Sequence, residues 1–125
     1  MTRYQPQGYP TVIPRIVTRD VPGVAGFLKS VLDARGAVRA GAPTELRIGD
    51  SLLMVSDGGG LRAVTPSFLY VYVENVDTAY RLALHAGART LEAPTDTPYG
   101  DRRATVQDPW GNTWQIATHR VADGE

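Results

Sequence analysis

The feature that most constrains this sequence is an internal repeat, because a chain made of two similar halves has few ways to fold. Three short matches occur in the same order in both halves. They pair Asp20-Val21 with Asn75-Val76, Gly36-Ala37 with Gly87-Ala88, and Ile48-Gly49-Asp50-Ser51 with Trp110-Gly111-Asn112-Thr113, at separations of 55, 51 and 62 residues. One such match is common by chance, whereas three in order indicate that a structural unit has been duplicated.

Each half is predicted to contain a strand, a helix and three further strands. Apolar residues three and four positions apart predict one helix from an N-cap at Asp20 to Gly36 and another from Asn75 to Gly87. The predicted strands are Thr11–Thr18, Ala37–Gly41, Thr44–Ile48 and Ser51–Ser56, then Phe68–Val73, Ala88–Leu91, Arg103–Gln107 and Thr113–Thr118. Since neither half is large enough to bury a core alone, we expect one α+β domain over residues 1–125, with module one at about 11–57 and module two at about 67–119.

The composition excludes several classes of function. The 125 residues include 13 Lys and Arg, 13 Asp and Glu, and no Cys. A net charge of zero argues against nucleic acid or an anionic membrane as the partner, because both are attracted by a positive field. A chain without Cys has no disulfide, thiolate metal site or cysteine nucleophile. No apolar run is long enough for a signal peptide or a membrane span, so we expect a cytoplasmic protein.

Three segments of the second half carry a resemblance to a known family. Tyr99-Gly100-Asp101-Arg102 is followed by Asp108-Pro109-Trp110-Gly111-Asn112 and then by Trp114-Gln115-Ile116. The chain resembles the vicinal oxygen chelate superfamily, which includes glyoxalase I, the bleomycin-resistance proteins and the extradiol dioxygenases. The resemblance implies two tandem βαβββ modules that form a curved mixed sheet with helices on its convex side. It also implies a concave binding face and, as in many short members, a homodimer.

The same resemblance identifies four positions at which family enzymes hold a divalent metal, on the first and last strands of each module. In this sequence those positions are Ile13, Leu53, Phe68 and Gln115. Gln115 alone among them has a donor atom, and a neutral carbonyl is a weak ligand for a transition metal. The two histidines, His85 and His119, lie away from these positions. We therefore expect neither a metal nor another cofactor.

Strand alternation predicts which side chains line the concave face, since successive residues point to opposite faces. The apolar set formed by Leu52, Met54, Leu69, Val71, Trp114 and Ile116 is expected to face the helices. The residues predicted to contact a ligand, including three from loops, are Arg15, Leu53, Phe68, Tyr70, Tyr72, Tyr99, Arg102, Trp110 and Gln115.

Each candidate also has a structural interpretation. Arg15 suits a carboxylate or phosphate, but it would also pair with an internal acid. Trp110 is either a rim aromatic or a core anchor, and Arg102 would also bridge to Asp101 or Asp108. Asp101 and Asp108 occupy turn positions where Asp is expected, so no catalytic role is assigned to them.

The sequence favours a metal-independent protein that binds a small, partly aromatic molecule, with Arg15 available for an anionic group. The function would resemble the sequestration of a drug by bleomycin-resistance proteins. One alternative is a glyoxalase- or dioxygenase-like lyase or oxidoreductase acting on a small oxygenated substrate. Another is an accessory subunit whose cup is filled by its own side chains.

Overall fold

A computed structural model describes residues 4–120 as seven strands and two helices. In chain order the elements are β1 (Arg15–Thr18), α1 (Val21–Leu32), β2 (Thr44–Ile48), β3 (Ser51–Asp57), β4 (Phe68–Tyr72), α2 (Val76–His85), β5 (Arg89–Asp96), β6 (Asp101–Gln107) and β7 (Thr113–His119). The predicted α+β class is confirmed. No helix in this part of the chain is long and apolar enough to cross a membrane.

The strands form two hydrogen-bonded sheets that repeat one topology. The first sheet has the order β1-β3-β2 and the second the order β4-β7-β6-β5. In each module the first strand lies parallel to the last strand, which is antiparallel to the strand before it. Thus β1, β2 and β3 correspond to β4, β6 and β7. The family resemblance implies one curved sheet, whereas the described strands pair within their own module.

Module one lacks a counterpart of β5, so the predicted strand Ala37–Gly41 is wrong. That segment contains no strand, and the nearest pairing is an isolated bridge between Arg35 and Arg47. Gly41 has a left-handed φ of 74°, and Pro43 has no backbone N–H to donate. A continuous ladder cannot form through such a segment.

Both helices begin at the predicted caps. The Asp20 carboxylate accepts from the Gly23 amide at 3.0 Å, and the Asn75 side-chain oxygen accepts from the Thr78 amide at 3.2 Å. Helix α1 ends earlier than predicted, since Asp33 adopts the left-handed conformation with φ 56°. Gly36 lies beyond the helix, where its backbone approaches the Glu45 carbonyl.

A continuous apolar core joins the modules. Helix α1 packs on β2 and β3, α2 packs on β5, β6 and β7, and the two helices contact each other. Trp110 strengthens this junction, because its indole N–H donates to Asp20 at 3.0 Å and its ring packs edge-on against Phe27. Buried residues of both modules belong to the core, among them Ile16, Leu28, Leu46, Val55, Val76, Val106, Trp114 and Ile116.

Candidate functional site

The register of the second sheet gathers several predicted residues on one face. Tyr70 lies beside Gln115 and Tyr72 lies beside Ala117 across the β4–β7 pair, with Phe68 at the start of β4. We call this surface the open face of the second sheet. It consists of Phe68, Tyr70, Tyr72, Glu92, Asp101, Arg103, Thr105, Gln115, Ala117 and His119. Phe68 is 67% exposed and Tyr72 is 61% exposed, whereas Trp114 and Ile116 on the opposite face are buried.

At one end of the open face lies a carboxylate that is 2% exposed, Asp101. The hydroxyls of Tyr70 and Tyr72 donate to its Oδ2 at 2.6 and 2.8 Å. His119 Nδ1 lies 2.8 Å from Oδ1. These contacts connect β4, β6 and β7 through one buried charge.

The contacts shift ionisation in a consistent direction. The Tyr70 hydroxyl bond is the largest factor that holds the pKa of Asp101 below its usual value; burial opposes it, and the bonds from His119 and Tyr72 support it. Burial and the bond to Asp101 raise the pKa of Tyr70 far above its ordinary value. The same acceptor raises the pKa of Tyr72. Asp101 is therefore an anion and both phenols are neutral over the physiological pH range.

The ionised Asp101 determines the tautomer of a neutral His119. A carboxylate can accept but not donate, so Nδ1 must carry the proton that joins the two groups. Nε2 then has a lone pair. The imidazole side chain is 45% exposed, and no protein partner for Nε2 occurs among residues 4–120.

A second polar group extends the open face toward β5. The Arg103 guanidinium donates to both oxygens of Glu92, at 2.8 and 3.0 Å, and to the Tyr99 hydroxyl at 2.8 Å. Thr105 also donates to Glu92. The bond between Arg103 and Glu92 is the largest factor that raises the pKa of Arg103. The same bond lowers the pKa of Glu92. Tyr99 thereby joins the open face, as a loop residue held over the sheet.

A cavity of about 510 Å³ borders the open face along β4. Tyr70 and Tyr72 line it on one side, and residues 10–14 together with the β2–β3 turn line the other. Most of its other lining residues are apolar: Pro10, Val12, Pro14, Ile48, Leu52, Leu53, Leu69, Val71 and Trp114. An apolar cavity beside a few directed polar groups is the usual form of a small-molecule site.

The predicted facing of β3 is wrong by one residue. Arg15 lies beside Met54 and Ile16 beside Val55, so Leu53 and Val55 point to the helix side and Met54 shares the face of Arg15. Leu53 is 5% exposed and packs in the core, although it also borders the cavity. A one-residue change of register moves a side chain to the other face.

Arg102 and Trp110, which were also predicted to contact a ligand, make structural contacts instead. Arg102 donates to Asp77 on α2 and to Asp96 on β5, on the helix side of β6, so it does not share the open face. It bridges neither Asp101 nor Asp108. Trp110 is a core anchor between the modules. Arg15 stays exposed on the first sheet, where its guanidinium lies 3.3 Å from the Met54 sulfur.

Comparison with known proteins identifies the family. Residues 15–116 match the sequence model of the Glyoxalase/Bleomycin resistance protein/Dioxygenase superfamily. The chain belongs to this superfamily. It is 30% identical over 125 residues to the uncharacterized protein Mb0911c of Mycobacterium bovis, with 86% of this chain and 82% of that protein covered. The uncharacterized protein Rv0887c of Mycobacterium tuberculosis matches at the same identity over 86% of this chain and 73% of its own.

Solved structures of the superfamily share the fold. TioX from Micromonospora sp. ML1 superposes with a TM-score of 0.74 at 23% identity, covering 88% of this chain and 98% of that one. The fosfomycin resistance protein FosX from Mesorhizobium loti superposes with a TM-score of 0.64 at 19% identity, covering 87% and 90%. At these identities the likeness concerns the fold.

The side chains at the superfamily's metal positions do not fit a divalent ion. Ile13 and Phe68 have no donor atom. The β3 register replaces Leu53 by Met54, whose thioether is a soft ligand, and Gln115 supplies a neutral oxygen. Within residues 4–120, no three His, Asp or Glu side chains come together to hold an ion.

Local sequence patterns do not indicate that Asp101, His119, Arg103 and Glu92 lie together. The sequence predicts a turn position for Asp101, but this residue is the first of β6 and pairs with His119 at the end of β7. Extending the predicted last strand by one residue would have placed His119 in phase with Gln115, which was the available signal. The partners of Asp101 and Arg103 depend on strand order, for which the local sequence has no signal.

Proposed function

We propose that this protein binds a small, partly aromatic molecule at the open face of the second sheet and the adjoining cavity, without a metal. The observation that supports this most directly is the row of Phe68, Tyr70 and Tyr72 on an accessible face. Rings on an exposed sheet surface can stack on a planar ligand, which adds about 0.5–1.5 kcal/mol per ring pair beyond area burial.

Metal independence rests on the donor set. A tightly held divalent ion needs at least three protein ligands that converge, and the superfamily positions provide one neutral oxygen and one thioether. We expect elemental analysis of the purified protein to find no stoichiometric transition metal. Stoichiometric metal that a chelator removes together with ligand affinity would contradict this part of the proposal.

The proposed biological role is sequestration of a toxic small molecule. The superfamily includes resistance proteins, and FosX is a fosfomycin resistance protein with the same fold. Binding alone suffices for such a role, and an apolar cavity beside an aromatic row suits retention of a ligand. Expression in a sensitive host, compared with expression of a Tyr72→Ala variant, tests whether binding and resistance depend on the same residue.

A fragment screen tests the binding site itself. Planar aromatic fragments are titrated into ¹⁵N-labelled protein, and affinities are compared for Phe68→Ala, Tyr72→Ala and the control Leu82→Ala. Leu82 is an exposed apolar residue of α2, outside the site. We expect two- to tenfold weaker binding for the first two variants and no change for the control. Equal affinity for all three would place the ligand elsewhere.

We further propose a homodimer in which a second copy covers the open face. Phe68 and Tyr72 are apolar rings left exposed in one chain, and the outer edge of β4 has no strand partner among residues 4–120. Exposed apolar patches and unpaired edges commonly mark interaction surfaces. A second copy would close the open face into a cup.

A second candidate function is a metal-independent lyase or oxidoreductase, and the specific observation in its favour is the His119–Asp101 pair. An imidazole oriented by a buried carboxylate is a common general base. Turnover of a small oxygenated substrate that is lost in His119→Phe and retained in His85→Phe would favour the enzyme over the binding protein.

A further inference from the structure

We propose that His119, oriented by Asp101, is a hydrogen-bond acceptor for the ligand, so that the site prefers aromatic molecules carrying a hydroxyl group and loses this preference when the imidazole is protonated. This inference rests on the proposed function, because it concerns the ligand of the same face. It names the chemical class of that ligand and a pH dependence of its binding.

The imidazole of His119 is held in a fixed orientation. Nδ1 is held 2.8 Å from Oδ1 of a carboxylate that is almost fully buried, while the ring itself is 45% exposed. The two tyrosine bonds to Oδ2 keep the carboxylate from turning. A neutral imidazole therefore has its lone pair on Nε2, in a ring that is accessible at the open face.

The hydroxyl groups next to His119 use their protons on Asp101. Tyr70 and Tyr72 each have one hydroxyl proton, and both protons are directed at Asp101. The Tyr72 oxygen therefore has lone pairs to offer, whereas the Tyr70 oxygen also faces the Tyr99 hydroxyl. Tyr72 and Nε2 are thus acceptors, which a ligand satisfies with O–H or N–H donors. An unpaired donor or acceptor in such a site costs more than a missing contact.

The net charge of the open face around His119 also affects which ligands it can bind. The titratable groups around His119 come from three strands and one turn: Asp101 and Arg103 of β6, Tyr70 and Tyr72 of β4, Glu92 of β5 and Tyr99 of the β5–β6 turn. Arg120 is next in the chain, but it lies with Asp77 on the helix side. Arg103 is neutralised by Glu92. Asp101 therefore leaves the face with a net negative charge while His119 is neutral, which disfavours anionic ligands. Protonation of His119 removes this charge and converts Nε2 into a donor.

Three matched probes test the inference on the full chain: 2-naphthol, which has a hydroxyl donor, 2-methoxynaphthalene, which has none, and 2-naphthoate, which is an anion. Affinities are measured by protein-observed NMR at about pH 8 and about pH 5. At the higher pH we expect 2-naphthol to bind about five- to tenfold more tightly than 2-methoxynaphthalene. At the lower pH we expect that preference to disappear and 2-naphthoate to gain affinity.

Variants separate the role of His119 from a general effect on the fold. His119→Phe keeps a planar ring without an acceptor and should abolish both the hydroxyl preference and its pH dependence. His85→Phe is the matched control, since His85 is exposed at the end of α2 and lies outside the site. Asp101→Asn tests the positioning residue, and ¹⁵N shifts of the imidazole should show that the Nδ1–H tautomer is no longer dominant.

The outcomes distinguish this inference from the proposed function. Equal binding of 2-naphthol and 2-methoxynaphthalene, or a preference that survives in His119→Phe, would overturn the inference and leave the aromatic site standing. Failure of all three probes to perturb the open face would overturn both.

Discussion

Asp101 of β6 is a buried carboxylate that is stabilised by side chains from two other strands, β4 and β7. Burial of an ion is costly unless its oxygens accept hydrogen bonds. Here two phenols and one imidazole provide those bonds at 2.6–2.8 Å. Because the donors come from different strands, the charge also fixes the relative positions of β4, β6 and β7.

Replacement of Tyr70 by Phe should destabilise the fold in a pH-dependent way. The native pKa of Asp101 is lowered, so its ionised form contributes stability above the unfolded value near 4, and that contribution is lost as the pH falls through the native value. Tyr70 is the largest cause of the lowering. We expect Tyr70→Phe to lower the free energy of unfolding by about 1–2 kcal/mol at neutral pH and by less near pH 2. Urea denaturation across this range measures the difference.

Tyr80→Phe is the matched control for that measurement. The Tyr80 hydroxyl bonds to Thr90 Oγ1 at 2.7 Å, and no carboxylate takes part in that contact. Its effect should be nearly constant with pH. A deficit of Tyr70→Phe that does not shrink in acid would show that the hydroxyl does not stabilise the charge of Asp101.

At the scale of secondary-structure elements, strand β6 separates two adjacent arginines. Arg102 points to the helix side and bonds Asp77 and Asp96, whereas Arg103 lies on the open face with Glu92 and Tyr99. Period-two alternation alone places neighbouring residues on opposite faces. Arg102 therefore contributes to the stability of the fold, and Arg103 contributes to the proposed site.

These arginines predict opposite phenotypes. Arg103→Gln releases Tyr99 and leaves Glu92 unneutralised, so binding of an aromatic fragment should weaken by about three- to tenfold. Arg102→Gln removes a link between β6 and α2, so the free energy of unfolding should fall while affinity stays within about twofold. Calorimetric titration and urea unfolding of both variants measure the two effects. Reversal of the pattern would show that the site lies on the helix side of β6.

The sequence predicted module two more accurately than module one, for reasons that are visible in the turns. In module two the alternation of Tyr70 and Gln115 predicted one shared face, and the register confirms it. In module one the match of Ile48–Ser51 to Trp110–Thr113 aligned turns of different length. The β2–β3 connection has two residues, whereas the β6–β7 connection has five. Equivalent strand positions therefore differ by 61 residues rather than 62, and every predicted side chain of β3 was reversed.

The polar contacts of the site could not be predicted from local patterns. Asp101, Glu92, Arg103 and His119 come together because β5, β6 and β7 are neighbours in register. Strand order and the two irregularities in β5 determine which oxygen meets which donor. The caps at Asp20 and Asn75, by contrast, depend on residues three positions away, so sequence sufficed for them.

Helix α1 contains two glycines with different consequences. A Cβ at Gly23 would overlap the Asp20 carboxylate and the Trp110 ring, whereas a Cβ at Gly26 meets nothing within 4 Å. Gly23→Ala should therefore break the Asp20–Trp110 bond and destabilise the junction between modules. Gly26→Ala should stabilise the helix by up to about 1 kcal/mol, because Ala has the higher helix propensity. Thermal unfolding of both variants checks this, and equal shifts would contradict the role of Gly23 in seating Trp110.

At the scale of the whole molecule, the helices join the modules and the sheets are left with accessible surfaces. Helix α1 contacts α2, and the core includes residues of both modules. The second sheet has an open face with exposed rings, and β4 is an edge strand. The first sheet is different, because residues before β1 contact it: the Tyr9 hydroxyl donates to Glu45 at 2.6 Å, and Arg47 donates to the Gly8 carbonyl. The second sheet therefore has the larger need of an external cover.

Self-association should accordingly depend on Phe68. A lysine at this position would place a charge against the second copy, and an unpaired buried charge is strongly unfavourable. We expect sedimentation equilibrium to show a dimer for the native chain and a monomer for Phe68→Lys at the same concentration. Leu82→Lys adds the same charge on α2 and should remain dimeric. If Phe68→Lys dimerises as well as the native chain, or if the native chain is monomeric throughout, the open face is not an interface between copies. Binding of aromatic fragments by a monomeric native chain would then show that one chain holds the complete site.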